Sequence, residues 1–115
     1  MVEPDIFHDH FGHVPLLFNR SFADCMQACG AGGLKASRLD ACELLARLHW
    51  YAVEFGLINT PNGLHAYGAG ILSSAGELQH SVRSKEPRRV AFELQRLTRS
   101  PYRIDTYQAG YFVID

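Results

Sequence analysis

Apolar side chains recur at three- and four-residue steps through Leu44, Leu48, Tyr51, Ala52 and Phe55, which predicts an amphipathic helix. Ser37 or Asp40 is placed to start it and Gly56 to stop it, making it the longest element expected. Upstream, residues 4–13 suit a short helix with Pro4 in its first turn. Gly12 and the Val14-Pro15 step should end it, because the residue before a proline avoids the helical region. Asn19 or Ser21 can cap a second helix through Phe22, Met26 and Cys29, which Gly30, Gly32 and Gly33 are expected to break. That glycine cluster makes a poor phosphate loop, since no strand precedes it and no Lys-Ser/Thr follows. Thr60-Pro61-Asn62-Gly63 reads as a turn into a short extended piece over residues 64–67. Further helices are expected over residues 75–82 and 87–98. Alternating β-branched and aromatic residues across 102–115 predict two short strands around Gln108-Ala109-Gly110. The fold class expected is mainly α with minor β, an α+β arrangement.

Length and composition narrow the picture only modestly. The 115 residues make one small domain or a piece of a larger one. A hydrophobic share of 47% with 20% charged residues is that of a packed soluble protein and argues against disorder. A net charge of −1 gives no sign of a nucleic-acid or membrane surface. The basic run Arg83, Lys85, Arg88, Arg89 is interrupted by Glu86 and Pro87, and a solvated turn and helix start is expected there. The first residues lack a basic leader and an apolar stretch, so no signal peptide is expected, and no run nears the roughly eighteen apolar residues of a membrane span. Cys25, Cys29 and Cys42 show no C-x-x-C spacing. Cys25 and Cys29 should share a helix face as small buried apolar groups, and the cytoplasm is the default compartment.

The chemistry concentrates in His8-Asp9-His10-Phe11-Gly12-His13 and in Glu54, the only charge between Arg47 and His65. Two imidazoles and one carboxylate suffice to hold a non-haem ferrous ion on one face and leave the other open. An unpaired carboxylate among large apolar side chains costs several kcal/mol, so Glu54 needs a cation or a metal beside it. Arg47, seven residues earlier and nearly on the same helix face, is the competing partner. Spacing leaves the histidine pair open. At about 100° per residue, His10 and His13 lie roughly 60° apart on a helix and His8 and His13 roughly 140° apart. Helix geometry therefore favours His10 with His13, and His8 converges with His13 only if the helix ends or distorts, which Gly12 permits.

Four segments carry a family likeness. Pro4-Asp5-Ile6-Phe7-His8-Asp9-His10-Phe11-Gly12-His13-Val14-Pro15-Leu16 resembles the first iron-site motif of the pterin-dependent aromatic amino acid hydroxylases. Trp50-Tyr51-Ala52-Val53-Glu54-Phe55-Gly56-Leu57 is similar to the segment that bears that family's glutamate. Tyr67-Gly68-Ala69-Gly70-Ile71-Leu72-Ser73-Ser74 is similar to a third motif, and Tyr102-Arg103-Ile104-Asp105-Thr106-Tyr107-Gln108 with Tyr111-Phe112-Val113 to a later active-site loop. The wording Phe7-His8-Asp9 is most like the bacterial phenylalanine hydroxylases.

The resemblance implies a helical basket around a mononuclear iron, with His8, His13 and Glu54 as ligands. It places Asp9 near a tetrahydropterin of the tetrahydrobiopterin type, and Trp50, Phe55, Ser73 and Ile104 at the aromatic substrate pocket. It implies hydroxylation of L-phenylalanine to L-tyrosine with O2, the apolar Ile104 suiting phenylalanine better than tyrosine. His49 stands where the family usually has tyrosine, Ala52 replaces a common threonine, and His10 matches no ligand. The family's catalytic domain is more than twice this length, so residues 1–115 are expected to be its C-terminal part, truncated at both ends. Trp50 and the long helix should then lack packing partners and expose an apolar patch that invites self-association. Rival readings are tryptophan or tyrosine hydroxylation, a non-catalytic metal-binding remnant, and a zinc hydrolase, the last weakened by the absence of an H-E-x-x-H spacing.

Overall fold

The computed structural model of the chain describes residues 6–115, so the expected placement of Pro4 in a first helical turn lies outside the described residues. Helices α1 (Val14–Leu17), α2 (Arg20–Arg38), α3 (Cys42–Leu48), α4 (Ala69–Leu72), α5 (Ala75–Arg83) and α6 (Leu94–Arg99) surround one small sheet. Two π-helical turns interrupt the regular winding: His8–His13 runs into α1, and His49–Glu54 continues α3. The sheet holds β1 (Leu57–Thr60), β2 (Gly63–Ala66), β3 (Arg88–Ala91) and β4 (Gly110–Ile114) in the order β2-β1-β4-β3. β1 and β2 form an antiparallel hairpin across the Pro61-Asn62 turn, whereas β4 runs parallel to both of its neighbours. The mainly helical class with minor β-structure is the one observed.

The core sits on both faces of β4. Successive strand residues point to opposite sides, so Tyr111 joins Phe55, Leu57 and Ile71 on one face while Phe112 joins Tyr51 and Leu97 on the other. Trp50 packs against both groups. Leu57, Ile71 and Leu97 are wholly shielded, each worth about 1.5–3 kcal/mol relative to exposure. α4 lies against both π-turns, and this places the two halves of the site next to each other.

Several expectations are corrected. The first helix does not end at Gly12: Pro15 falls at the start of α1, where a missing N–H is harmless, so winding continues to Leu17. α2 is capped by Asn19 as expected but runs through Gly30, Gly32 and Gly33 to Arg38, and is the longest helix. Each glycine costs about 1 kcal/mol there, and the neighbouring Ala28, Ala31, Leu34 and Ala36 favour the helix. The chain then breaks at Asp40, which takes a left-handed φ of 53°, so the next helix begins at Cys42. Residues 87–98 split into β3 and α6, because parallel pairing with β4 captures Arg88–Ala91. Only one strand forms in 102–115. Arg89 does not remain in solvent: its guanidinium donates to the Ser81 and Ser84 carbonyls at 2.7 Å each, satisfying the C-terminal end of α5. Cys25 is exposed and Cys29 only half-buried, not buried as expected, since α2 has no buried residue.

Candidate metal centre

The two π-turns decide which side chains meet. In this winding the backbone bond runs from residue i to i+5, seen in Val14 N–H to the Asp9 carbonyl and Phe55 N–H to the Trp50 carbonyl at 2.9 Å. Residues five apart, which an α-helix would point in different directions, therefore share a face. His8 and His13 are such a pair, and their Nε2 atoms stand 3.0 Å apart. Glu54 completes the group: Oε1 is 3.1 Å from His13 Nε2 and Oε2 is 3.6 Å from His8 Nε2. The ligand atoms of His8, His13 and Glu54 all lie within 4.8 Å of one another, the one such cluster among the described residues. His10, which regular helix geometry favoured, is exposed and its Nδ1 bonds to the Ile6 carbonyl at 3.0 Å.

The hydrogen bonds around His8 fix its tautomer. The Ser73 hydroxyl spends its single proton on the Ala69 carbonyl at 2.8 Å. It can therefore only accept from His8 Nδ1 at 2.7 Å, which makes Nδ1 the protonated nitrogen and presents the Nε2 lone pair to the cluster. An imidazole held in this way is what a divalent metal requires, so the donor set fits a ferrous ion. Ser73, expected at a substrate pocket, thus also braces His8; the Ser73-Ser74 pair was legible only as part of a motif.

Arg47 does not compete for Glu54. It pairs with Glu43, as the i,i+4 spacing predicts, and donates to the Thr98 carbonyl at 2.9 Å. Three imidazoles surround its carboxylate instead: Nε2 of His13, His49 and His8 stand 3.1, 3.3 and 3.6 Å from its oxygens. Burial by itself would raise the Glu54 carboxyl, but the hydrogen bond from His49 and the charges of His13 and His8 outweigh it and hold the carboxyl below its usual value. A folded-state value below the unfolded one adds stability above the ordinary value of 4.5, and that stability is lost as pH falls through the lower folded value. The metal-free chain should therefore lose thermal stability below about pH 4.5 more steeply than Glu54→Gln does. Calorimetry at stepped pH measures both slopes, and coincident slopes would refute the imidazole–carboxylate coupling.

Trp50 stacks on Tyr102 and meets Phe55 at a tilt, with ring centroids 4.5 and 4.7 Å away. Its indole N–H donates to Gln108 Oε1 at 3.1 Å, and the Gln108 amide donates to Arg103 O at 2.9 Å. Gln108 backbone N–H in turn donates to buried Glu77, which also receives the Tyr111 hydroxyl. Burial and this carboxylate push the Tyr111 phenol well up. Sequence reading missed Gln108, whose part depends on a contact 58 residues distant. Gln108→Leu should leave the indole N–H unsatisfied and cost about 1–3 kcal/mol. Trp50 is the chain's only tryptophan, so its emission should shift in the same variant. Asp9 is exposed and Ile104 is 62% exposed on the irregular segment after Pro101; neither enters the cluster.

Known proteins resemble this chain. A family model described as biopterin-dependent aromatic amino acid hydroxylase matches residues 1–115, and the chain belongs to that family. It is 62% identical over 113 residues to a phenylalanine-4-hydroxylase of Ralstonia nicotianae, covering 98% of this chain and 36% of that protein. To a tyrosine 3-monooxygenase of Canis lupus familiaris it is 47% identical over 111 residues, covering 96% of this chain and 22% of that one. A crystal structure of phenylalanine hydroxylase from Chromobacterium violaceum, with iron and phenylalanine bound, superimposes with a TM-score of 0.96 at 60% identity, over 98% of this chain and 42% of that one. The chain thus spans well under half the length of the relatives it matches.

Proposed function

We propose that this chain is the iron-binding part of a phenylalanine 4-monooxygenase, the C-terminal portion of its catalytic domain, in which L-phenylalanine becomes L-tyrosine. The observation that carries the reading is the convergence of His8, His13 and Glu54 through two π-turns. The greater likeness to phenylalanine-4-hydroxylases, 62% against 47% for the tyrosine enzyme, favours phenylalanine as substrate. Fe(II) with a tetrahydropterin and O2 would supply the oxidising chemistry. His8, His13 and Glu54 would hold the ion, two neutral imidazoles and one carboxylate leaving it a net charge of +1 and open positions. Asp9 lies next to His8 in solvent, where a pterin can approach it. Trp50 and Phe55 offer an aromatic wall against the substrate ring and exclude water, and Ile104 would join that wall from its loop.

The test supplies ferrous ion, L-phenylalanine, a tetrahydropterin and O2 to the full chain and follows tyrosine. Product that depends on every component supports the reading. Iron at one per chain with no product would favour a metal-binding role without turnover. We also assign the chain to the cytoplasm, where the exposed thiols of Cys25 and Cys42 stay reduced; no helix among the described residues is long and apolar enough to cross a membrane. Phe7, Phe11, Leu17 and Phe18 are exposed just before, on and after the first π-turn, Phe18 at 89%. Such a patch exceeds scattered surface apolar residues, and sedimentation should show concentration-dependent self-association of the isolated chain.

A further inference from the structure

We propose that His49 is a positioning residue of this site, whose Nε2–H holds Oε1 of Glu54 so that the carboxylate offers a metal one oxygen and not two. The inference rests on the iron-site reading above. His49 Nε2 stands 3.3 Å from Oε1, the oxygen that also faces His13. His49 and Glu54 are five residues apart at the two ends of the second π-turn. On an α-helix they would point roughly 140° apart, so the winding that joins His8 to His13 also joins this donor to its carboxylate. His49 lies outside the cluster of three ligand groups. Its side chain is 39% exposed against 13% for Glu54, so it is the more open to solvent of the two.

Among the described residues, no lysine or arginine pairs with that oxygen. Arg47, the nearest candidate on the same helix, is engaged by Glu43 and by the Thr98 carbonyl. The chemistry gives the restraint a purpose. A carboxylate that swings to bind through both oxygens takes one more position on the ion, and a two-imidazole, one-carboxylate site works through the positions it leaves open. Outer donors to ligating groups fix their orientation and typically change metal affinity by about 10- to 100-fold. His49 has the position for that task, a ring nitrogen able to donate, and the carboxylate it serves is an acceptor only.

Cobalt(II) is the probe, titrated into the full chain and into His49→Gln, His49→Phe and Glu54→Ala. Glutamine keeps an N–H donor and phenylalanine keeps the ring without one. His49→Phe should weaken cobalt binding by about 10- to 100-fold and change the visible absorption of the bound ion, which reports its coordination number. His49→Gln should restore both affinity and spectrum. Far-UV circular dichroism checks folding, and His49→Ala replaces the phenylalanine variant if that one loses helix. Affinity and spectrum unchanged in His49→Phe overturn the inference. Equal losses in the glutamine and phenylalanine variants also overturn it, and make His49 itself a ligand. Failure of the parent chain to bind cobalt any better than Glu54→Ala would instead overturn the iron-site reading.

Discussion

Glu54→Ala should strip the chain of iron. Sites built from four ligands bind zinc with apparent energies of about 10–16 kcal/mol, so one ligand of comparable weight carries roughly 3 kcal/mol, more than a hundredfold in Kd. The loss should be larger than that of any imidazole, because Glu54 supplies the cluster's only negative charge. Metal analysis after gel filtration reads the result directly. Glu54→Gln should fare little better, since an amide keeps the shape without the charge. His8→Ala should also lose the ion, while His10→Ala should retain it, His10 being exposed and tied to the Ile6 carbonyl. Unchanged iron in Glu54→Ala would remove the three-ligand assignment, and equal loss in His10→Ala would move the ligand role to His10.

That contrast shows where sequence reading reaches its limit. Periodicity at 100° per residue pairs His10 with His13, and only the likeness to known motifs selected His8. The reason is backbone winding: a single π-turn realigns residues five apart, and no hydrophobic pattern announces it, because Phe7, Phe11 and Val14 are exposed and impose no register. Local signals did succeed where the cause was local. Asn19 caps α2 through the Phe22 amide at 3.2 Å, and the helix expected over residues 75–82 forms as α5. The hairpin turn at Pro61-Asn62 was equally readable. β3 was not, because Arg88–Ala91 becomes a strand only through pairing with Gly110–Val113, some twenty residues later. A longer separation, 58 residues, hid Gln108 from view, and with it the anchoring of Trp50.

Gly68→Ala should damage the site without touching a ligand. The Glu54 carbonyl and the Gly56 nitrogen occupy the space a Cβ at Gly68 would take, and Gly68 N–H donates to the Gly56 carbonyl at 3.1 Å. A methyl group at Gly68 would fall onto the Glu54 carbonyl and within 2.6 Å of Gly56 N, all of it backbone that cannot rotate away. Gly12 meets a milder version of this constraint: its Cβ would lie 2.8 Å from the Ala69 carbonyl oxygen, where α4 packs on the first π-turn. Overpacking against flexible side chains costs about 1–3 kcal/mol, and a clash with fixed backbone exceeds that. For Gly68→Ala the expected loss is roughly 3 kcal/mol or more, a fall in Tm on the order of 10 °C for a domain near this size. Because the displaced carbonyl belongs to Glu54, metal binding should weaken along with stability. Gly30→Ala serves as the control, since nothing lies within 4 Å of its Cβ and helix propensity alone should make it slightly more stable. Thermal unfolding and iron content in both variants decide the matter. A Gly68→Ala chain that keeps its Tm and its iron would show that the backbone beneath Glu54 is looser than this packing requires.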